Sequence, residues 1–505
     1  MEGKNGESAK YVDSLQMEET YQLRRSYIAE SCQLHYNQSP LKIMSSEGVY
    51  LIDSMGTKYL DCATRLSSVG HCHPCVVAAG RSMMQTMGAI QDFSQHESYV
   101  KALLKTLPPN FEVCLFTNSG SEANDLAVQL ARNYTNRKAV VVMENSFHGS
   151  SELLTEMCPK SFRRLPAGKP NWVTVVPLPD TYRGKYIHDI YAAQKYFEDA
   201  KDAIQKGIAQ GGEIACFLSE PIFMVQGMII PPAGYLANIY SYIKSIGGLV
   251  IADEIQLGMG RCGTQFWGFQ TQGAVPDILT LGKAMGNGYP LSVVITSRQI
   301  AGTLPNWAKQ YRCESVAVAI GHAVLKVLDE EELVRSGLQS MEYLYQKLVQ
   351  YESKFQFIGA IRKIGLIIGI EIVLSKESRK PDSSLAEKIS YRLKDSSVIV
   401  ANEGNMKNIL VFMPPFCITM RDVDMLVDGL GRILTEIEVE NSTAIFDEIF
   451  TSQPSTSTSA LLGISMAPSN DMTLEEEPPS PDVTFDYAYS DEEARKEAEA
   501  YADMD

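Results

Sequence analysis

Between positions 113 and 296 the chain alternates two kinds of segment. Short runs almost free of polar residues, at 113–116, 139–143, 172–177, 214–218, 249–253, 278–281 and 291–296, have the length of buried strands. Longer amphipathic stretches at 122–134, 187–206 and 235–246 predict helices. Strands buried on both faces read as unbroken apolar runs, and strands that alternate with helices are joined by crossovers. The pattern therefore predicts an α/β fold, a mainly parallel seven-stranded sheet covered by helices on both faces.

On either side the pattern changes. Residues 41–61 read as a hairpin, with apolar runs at 47–53 and 58–61 around a turn at 54–56. Beyond about 300, a helix at 317–327, an apolar stretch at 358–373, a helix at 385–393 and an apolar run at 408–415 predict a smaller α+β unit. The expected division is a polar leader at 1–20, a segment at 21–75 that joins the small domain, a large domain at 76–300 and a small domain at 301–441. From 442 the chain turns Ser/Thr/Pro-rich and then acidic, a composition that cannot bury a core, so 442–505 is expected to be disordered.

Composition narrows the partners. The net charge of −16 argues against nucleic acid or an anionic membrane surface as the main partner. Much of that charge is local: residues 471–505 hold thirteen acidic residues against Arg495 and Lys496, a net of −11. No run of eighteen apolar residues appears, so no transmembrane helix is expected. Glu2, Glu7, Asp13, Glu18 and Glu19 make the start of the chain neither a secretory signal nor a good mitochondrial presequence. Ten scattered cysteines suit reduced thiols, which points to the cytoplasm, with the mitochondrial matrix as the alternative.

Two strand ends carry the chemistry. Lys283 follows the run at 278–281, and Asp253 closes the run at 249–253. A buried lysine and a buried aspartate at neighbouring strand ends are costly unless something sits between them. Pyridoxal phosphate needs both groups, a lysine for its aldehyde and a carboxylate to keep its ring nitrogen protonated. Upstream, Asn118-Ser-Gly120-Ser121-Glu-Ala-Asn124 follows a strand and opens a helix, where small residues and backbone amides suit an anion. Phe147, in Asn145-Ser-Phe147-His148-Gly149, stands after the next strand and suits stacking on a flat ring.

Two other motifs lead elsewhere. Gly258-Met-Gly-Arg-Cys-Gly263 matches a dinucleotide fingerprint in spelling but runs into Thr-Gln-Phe-Trp rather than a helix. His71-Cys-His-Pro-Cys75, with Cys62 nearby, has zinc-type ligands. Adjacent residues cannot easily converge on one tetrahedral ion, and no distant Cys-x-x-Cys exists, so no metal is expected.

As an ordered set, 118–124, 147–149, Ile251-Ala-Asp-Glu254 and Leu281-Gly-Lys283 resemble the class III aminotransferases, over roughly 23–437. Val69-Gly-His-Cys-His-Pro74, 179–186 and 231–235 resemble the branch holding the ethanolamine-phosphate and phosphohydroxylysine phospho-lyases and alanine–glyoxylate aminotransferase 2-like proteins. The resemblance implies the pyridoxal-phosphate transferase fold of type I and a homodimer with active sites at the subunit interface. It implies the cofactor on Lys283, its phosphate at Gly120 and Ser121, and its ring against Phe147, with His148 among the contacts. Asp253 would meet the ring nitrogen, Gln256 would lie near the ring hydroxyl, and Glu220 would lie on the substrate side.

Three departures from the family pattern bear on the substrate. Where relatives carry a threonine that crosses the dimer to the cofactor phosphate, this chain has Gln310-Tyr-Arg-Cys-Glu-Ser315, with Arg312 as a substitute phosphate partner. Three residues before Pro414, family aminotransferases tend to place an arginine for the substrate carboxylate; here it is Val411, which suits an amine without a carboxylate such as phosphoethanolamine. Lyase relatives keep a basic residue there, which leaves Arg183 and Lys185 as candidates for the substrate phosphate. Finally, Ala63-Thr-Arg65-Leu-Ser-Ser68 replaces an Asn-rich stretch on the substrate side. The leading expectation is β-elimination of phosphate from a small primary amine, with transamination as the alternative and a non-catalytic dimeric scaffold as the third reading.

Overall fold

The computed structural model describes residues 15–86, 97–305 and 314–451. The first fourteen residues of the leader, Arg312 with its neighbours at 306–313, and 452–505 of the tail lie outside them.

In the compact unit that ends at Ala444, the described chain opens with an exposed helix, Met17–Tyr27, which begins within the expected leader at 1–20 and runs past its end. A meander of β1 (Ile43–Glu47), β2 (Tyr50–Asp53) and β3 (Lys58–Asp61) follows, all antiparallel. Asp53 makes the β2–β3 turn: its Oδ1 accepts from the amides of Met55 at 2.8 Å and Thr57 at 2.9 Å. An aspartate that captures amides two and four residues on reinforces the backbone bonds of the turn, in which the Asp53 amide donates to the Thr57 carbonyl and the Gly56 amide to the Asp53 carbonyl, both at 3.1 Å.

The large sheet takes its strands from the predicted apolar runs. They are β4 (Val113–Thr117), β5 (Ala139–Met143), β6 (Val173–Val176), β7 (Ile214–Ser219), β8 (Leu249–Asp253), β9 (Ile278–Leu281) and β10 (Ser292–Thr296). Their spatial order is β4-β10-β9-β8-β7-β5-β6. Every pairing from β9 through β6 is parallel, and only β10 runs antiparallel to its neighbours. Every residue of β5, β7, β8, β9 and β10 is buried, which is why these strands carry no polar alternation.

The remaining strands are β11 (Ile358–Ile364), β12 (Ile367–Ile372), β13 (Val398–Ile399), β14 (Ala401–Glu403) and β15 (Ile409–Phe412). β11-β12-β15-β14 make an antiparallel sheet, while β13 pairs in parallel with β3, Val398 opposite Leu60 and Ile399 opposite Asp61. The N-terminal meander is thereby tied to the C-terminal part of the chain.

Some boundaries differ from expectation. The helix predicted at 187–206 is Ala192–Gly211, because 181–191 is taken up by turns in which Asp180 and Asp189 hold local amides. The last helix is Met420–Thr451, so helix continues past 442, where disorder was expected to begin. The helices Pro74–Thr86 and Leu333–Lys354 were not anticipated.

Candidate active site

The candidate residues come from different strands and meet at one edge of the sheet. Asp253 is the last residue of β8, Glu220 follows β7 directly, and Lys283 lies two residues past β9. The helix that begins at Gly120 follows β4, and Phe147 and His148 follow β5. In a parallel sheet these are carboxyl ends, where open α/β folds bind ligands.

Asp253 is buried and held in place by three donors. Its Oδ2 accepts from Asn124 Nδ2 at 2.8 Å and from His148 Nδ1 at 2.8 Å, and its Oδ1 accepts from the Ile255 amide at 3.1 Å. A carboxylate only accepts, so the His148 proton sits on Nδ1. Asn124 is itself fixed, donating to the His148 carbonyl at 2.8 Å and accepting from Thr280 Oγ1 at 2.7 Å. Three strand ends and one helix therefore orient a single carboxylate. Sequence reasoning assigned Asn124 no role; the available signal was its position one helical turn after Gly120.

Lys283 is half-buried, in the left-handed region at φ +43°, and its Nζ makes no hydrogen bond among the described residues. A non-glycine residue in that region is uncommon and tends to mark a functional site. Burial pushes the Lys283 ammonium pKa down and the guanidinium of Arg65 pushes it further, against Glu220, Asp253 and Glu403. The neutral amine, the form that attacks an aldehyde or takes a proton, is favoured. Lys283 opens into a cavity of about 490 Å³ bounded by the N-terminal segment and by β13–β14, with Arg65, Glu403, Thr64, His35 and Tyr36 among its walls.

The helix start at Gly120 is the candidate anion site. Ser119 Oγ accepts from the Glu122 amide at 3.2 Å while Glu122 Oε2 accepts from the Asn118 amide at 2.9 Å, a reciprocal cap that sets the helix entry. Two glycines let the loops close here. A Cβ on Gly120 would lie 2.6 Å from Ile255 Cδ1, and one on Gly149, at φ +147°, 2.7 Å from Ser121 Oγ. Ser121 Oγ also accepts from the Ser150 amide at 3.1 Å, joining the two loops. Phe147 is 45% exposed, an unusual state for a phenylalanine flanked by buried Ser146 and His148.

Glu220 is buried, its Oε2 accepting from the amides of Met224 at 3.1 Å and Val225 at 3.4 Å. Gln256 links it to Arg65: Gln256 Nε2 donates to Glu220 Oε1 at 3.2 Å, and Arg65 Nη1 donates to Gln256 Oε1 at 3.1 Å. Burial, and then the charge of Asp253, push the Glu220 carboxyl up to about 8. Between its ordinary value of 4.5 and about 8, the folded protein without cofactor holds a proton that the unfolded chain has released. Stability therefore falls as pH rises through that window. Glu220→Gln, which mimics the protonated acid, is expected to flatten the fall, read as the urea midpoint at pH 5 and pH 8.5 (about 1 kcal/mol or more of pH dependence removed). An unchanged slope would show that Glu220 titrates normally.

The two candidate partners for the substrate phosphate are engaged elsewhere. Arg183 pairs with the buried Glu371, which Arg362 and Asn408 also hold, and Arg183 Nε donates to the Arg379 carbonyl at 2.8 Å. Lys185 is exposed and pairs with Asp199 at 3.1 Å. Neither lines the cavity at Lys283. The zinc-type residues separate as well, His71 to Asp61 at 2.7 Å and His73 to Glu331 at 3.1 Å. Val411 lies in the middle of β15, opposite Gly369 and Ala401, buried in an apolar cluster with Ile222, Met228 and Met413.

The chain matches the model for aminotransferase class III over residues 32–434. It belongs to the class III aminotransferase family. This class III protein is 37% identical over 441 residues to an alanine–glyoxylate aminotransferase 2-like protein of Drosophila melanogaster, covering 85% of this chain and 89% of the relative. It is 35% identical over 447 residues to the ethanolamine-phosphate phospho-lyase homolog 1 of Caenorhabditis elegans, covering 85% and 96%. Among solved structures, a phospholyase from Arthrobacter in complex with phosphoethanolamine matches with a TM-score of 0.78 at 30% identity, covering 82% of this chain and 99% of the other.

The cofactor of this family is pyridoxal phosphate, and the residues fit it. A lysine amine with no hydrogen-bond partner among the described residues, an exposed aromatic face, a carboxylate aimed by Asn124 and His148, and a capped helix start beside two glycines are what its aldehyde, ring, ring nitrogen and phosphate require. Lys283 would hold the aldehyde, Phe147 the ring face, Asp253 the ring nitrogen, and Gly120 with Ser121 the phosphate. His148 reaches this group through Asp253, and Gln256 sits between Glu220 and Arg65.

Proposed function

We propose that this class III aminotransferase-family enzyme is a phospho-lyase acting on a small primary amine that carries a phosphate ester, with phosphoethanolamine as the type substrate. The observation that carries the reading is Val411. The position where family aminotransferases hold the substrate carboxylate is an apolar residue buried inside a strand, so an amino-acid carboxylate has no guanidinium there. A phospho-lyase homolog among the relatives and a solved phospholyase with phosphoethanolamine support the same reaction class.

Bound pyridoxal phosphate supplies an aldehyde for the amine and a protonated ring that accepts an electron pair. Asp253 keeps that ring nitrogen protonated. Lys283, whose ammonium pKa is lowered by burial and by Arg65, takes the proton from the carbon next to nitrogen. The C–O bond to phosphate then breaks with its electron pair leaving on the phosphate, and a C=C bond forms. Water releases the remaining fragment, so phosphoethanolamine and one water give acetaldehyde, ammonia and inorganic phosphate. We take the enzyme to be a homodimer, in the cytoplasm or the mitochondrial matrix.

Cofactor-loaded protein incubated with phosphoethanolamine is expected to release phosphate and acetaldehyde in equal amounts without any keto acid. A protein that releases none, yet passes the amino group of an amine to a keto acid, would instead be a transaminase, the reading that the alanine–glyoxylate aminotransferase 2-like relative favours.

A further inference from the structure

We propose that Arg65 is the residue that binds the substrate's phosphate, and that Glu403 is an internal counter-ion which the phosphate displaces. The inference rests on the phospho-lyase reading above and names the anion site which that reading leaves open, since Arg183 and Lys185 are engaged elsewhere.

Arg65 and Lys283 are the two cationic side chains lining the cavity, among the described residues. The Arg65 side chain is only 11% exposed, and its Nη2 pairs with Glu403 Oε1 at 2.7 Å while Nη1 donates to Gln256. Its Nε is buried with no partner among the described residues. A buried guanidinium donor left unsatisfied is costly in a settled structure and useful in a site that receives a ligand. The backbone at Arg65 is also left-handed, at φ +60°, so the local chain is held in an uncommon conformation that presents this side chain. A planar fork with several donors matches a phosphate dianion better than a lysine does.

Glu403 comes from β14, far along the chain from Arg65, and is itself largely buried. It neutralises Arg65 while no substrate is present. A phosphate dianion carries more charge and more acceptor oxygens than one carboxylate, so it can take Arg65 from Glu403 and satisfy Nε as well. Arg65 would then steady the negative charge that grows on the leaving phosphate, while its link through Gln256 to Glu220 keeps the phosphate end in register with the amine end.

The test uses cofactor-loaded protein and the single variants Arg65→Gln and Glu403→Gln, with Arg65→Lys as a third, and inorganic phosphate and phosphoethanolamine as probes. Phosphate binding is read calorimetrically and KM from phosphate release. Arg65→Gln is expected to weaken inorganic phosphate and raise KM for phosphoethanolamine by about 10- to 150-fold, the worth of one to two charge-assisted bonds. Arg65→Lys should fall in between, keeping the charge and losing the fork. Glu403→Gln removes the competitor and is expected to tighten inorganic phosphate by about 5-fold. A purely structural ion pair would move both variants in the same direction, so opposite signs are the signature. Both variants weakening phosphate, or neither changing it, overturns the proposal, provided each keeps its wild-type thermal midpoint within a few degrees. A variant that melts early is replaced by Arg65→Lys, for which wild-type phosphate affinity overturns the proposal and a loss supports it. The two readings fail differently. Wild-type protein that binds phosphate through Arg65 without eliminating it removes the lyase, whereas elimination with an unmoved KM in Arg65→Gln removes the handle.

Discussion

Lys283→Ala is expected to erase the visible absorbance of the lysine-bound cofactor and to cut turnover by about 10⁴-fold, the upper end of what one positioned proton-transfer group supplies. Two roles fall on the same amine, which is why the effect is the largest in the molecule. The nitrogen must be uncharged both to hold an aldehyde and to take a proton, and the fold arranges this by burying it beside a second cation. The protein should still fold. Nζ has no hydrogen-bond partner among the described residues, so alanine orphans no polar group. Absorbance and thermal unfolding, measured together, separate the outcomes. A band that survives would place the cofactor on another lysine, and lost folding would make the activity loss uninformative.

Asp253→Asn should leave the cofactor bound and coloured but slow the chemistry by roughly 10- to 10³-fold, because an anion beside a titrating nitrogen raises its pKa by about 1–3 units. The substitution is isosteric yet breaks a set of matched donors. Asn124 Nδ2 and His148 Nδ1 both point at Oδ2, and an asparagine amide presents two hydrogens where one of its atoms met a donor. With the carboxylate gone, the ring nitrogen protonates only at lower pH, so the variant's residual activity should be displaced toward acid relative to wild type. A kcat profile across pH checks this. An unchanged profile with an unchanged rate would show that Asp253 only supports the loops around it.

The two predictions differ in a way that bears on the whole site. In the proposed mechanism Lys283 acts through an Nζ with no hydrogen-bond partner among the described residues, and Asp253 through a carboxylate held by three donors. Beside them, Arg65, Gln256 and Glu220 form a hydrogen-bonded line that starts at the cavity wall, where the phosphate is proposed to bind. Its outer member, Arg65, lies in a stretch that departs from the family pattern, while Lys283 and Asp253 follow that pattern. A change of substrate with retained cofactor chemistry is what such a distribution would produce.

The sequence alone determined the parts of this protein that depend on local burial. Strands β5, β8 and β9 match the apolar runs residue for residue, because a strand covered on both faces is mostly apolar throughout rather than alternating. Lys283 and Asp253 were legible for the same reason, as charged residues where such runs stop. The seven-strand order and the lone antiparallel strand β10 were not legible, since pairing is decided by how crossovers pack. Nor could spacing show that Arg183 is drawn to Glu371 in β12, or that Asn124 and His148 converge on one oxygen of Asp253. Above all, Arg65 and Glu403 lie in segments brought together by the parallel pairing of β3 with β13, which carries the chain directly into β14. An ion pair between residues so far apart leaves no trace in periodicity. Its formation depends on the tertiary fold, which removes both charges from water into one cavity wall and makes each the other's nearest compensation.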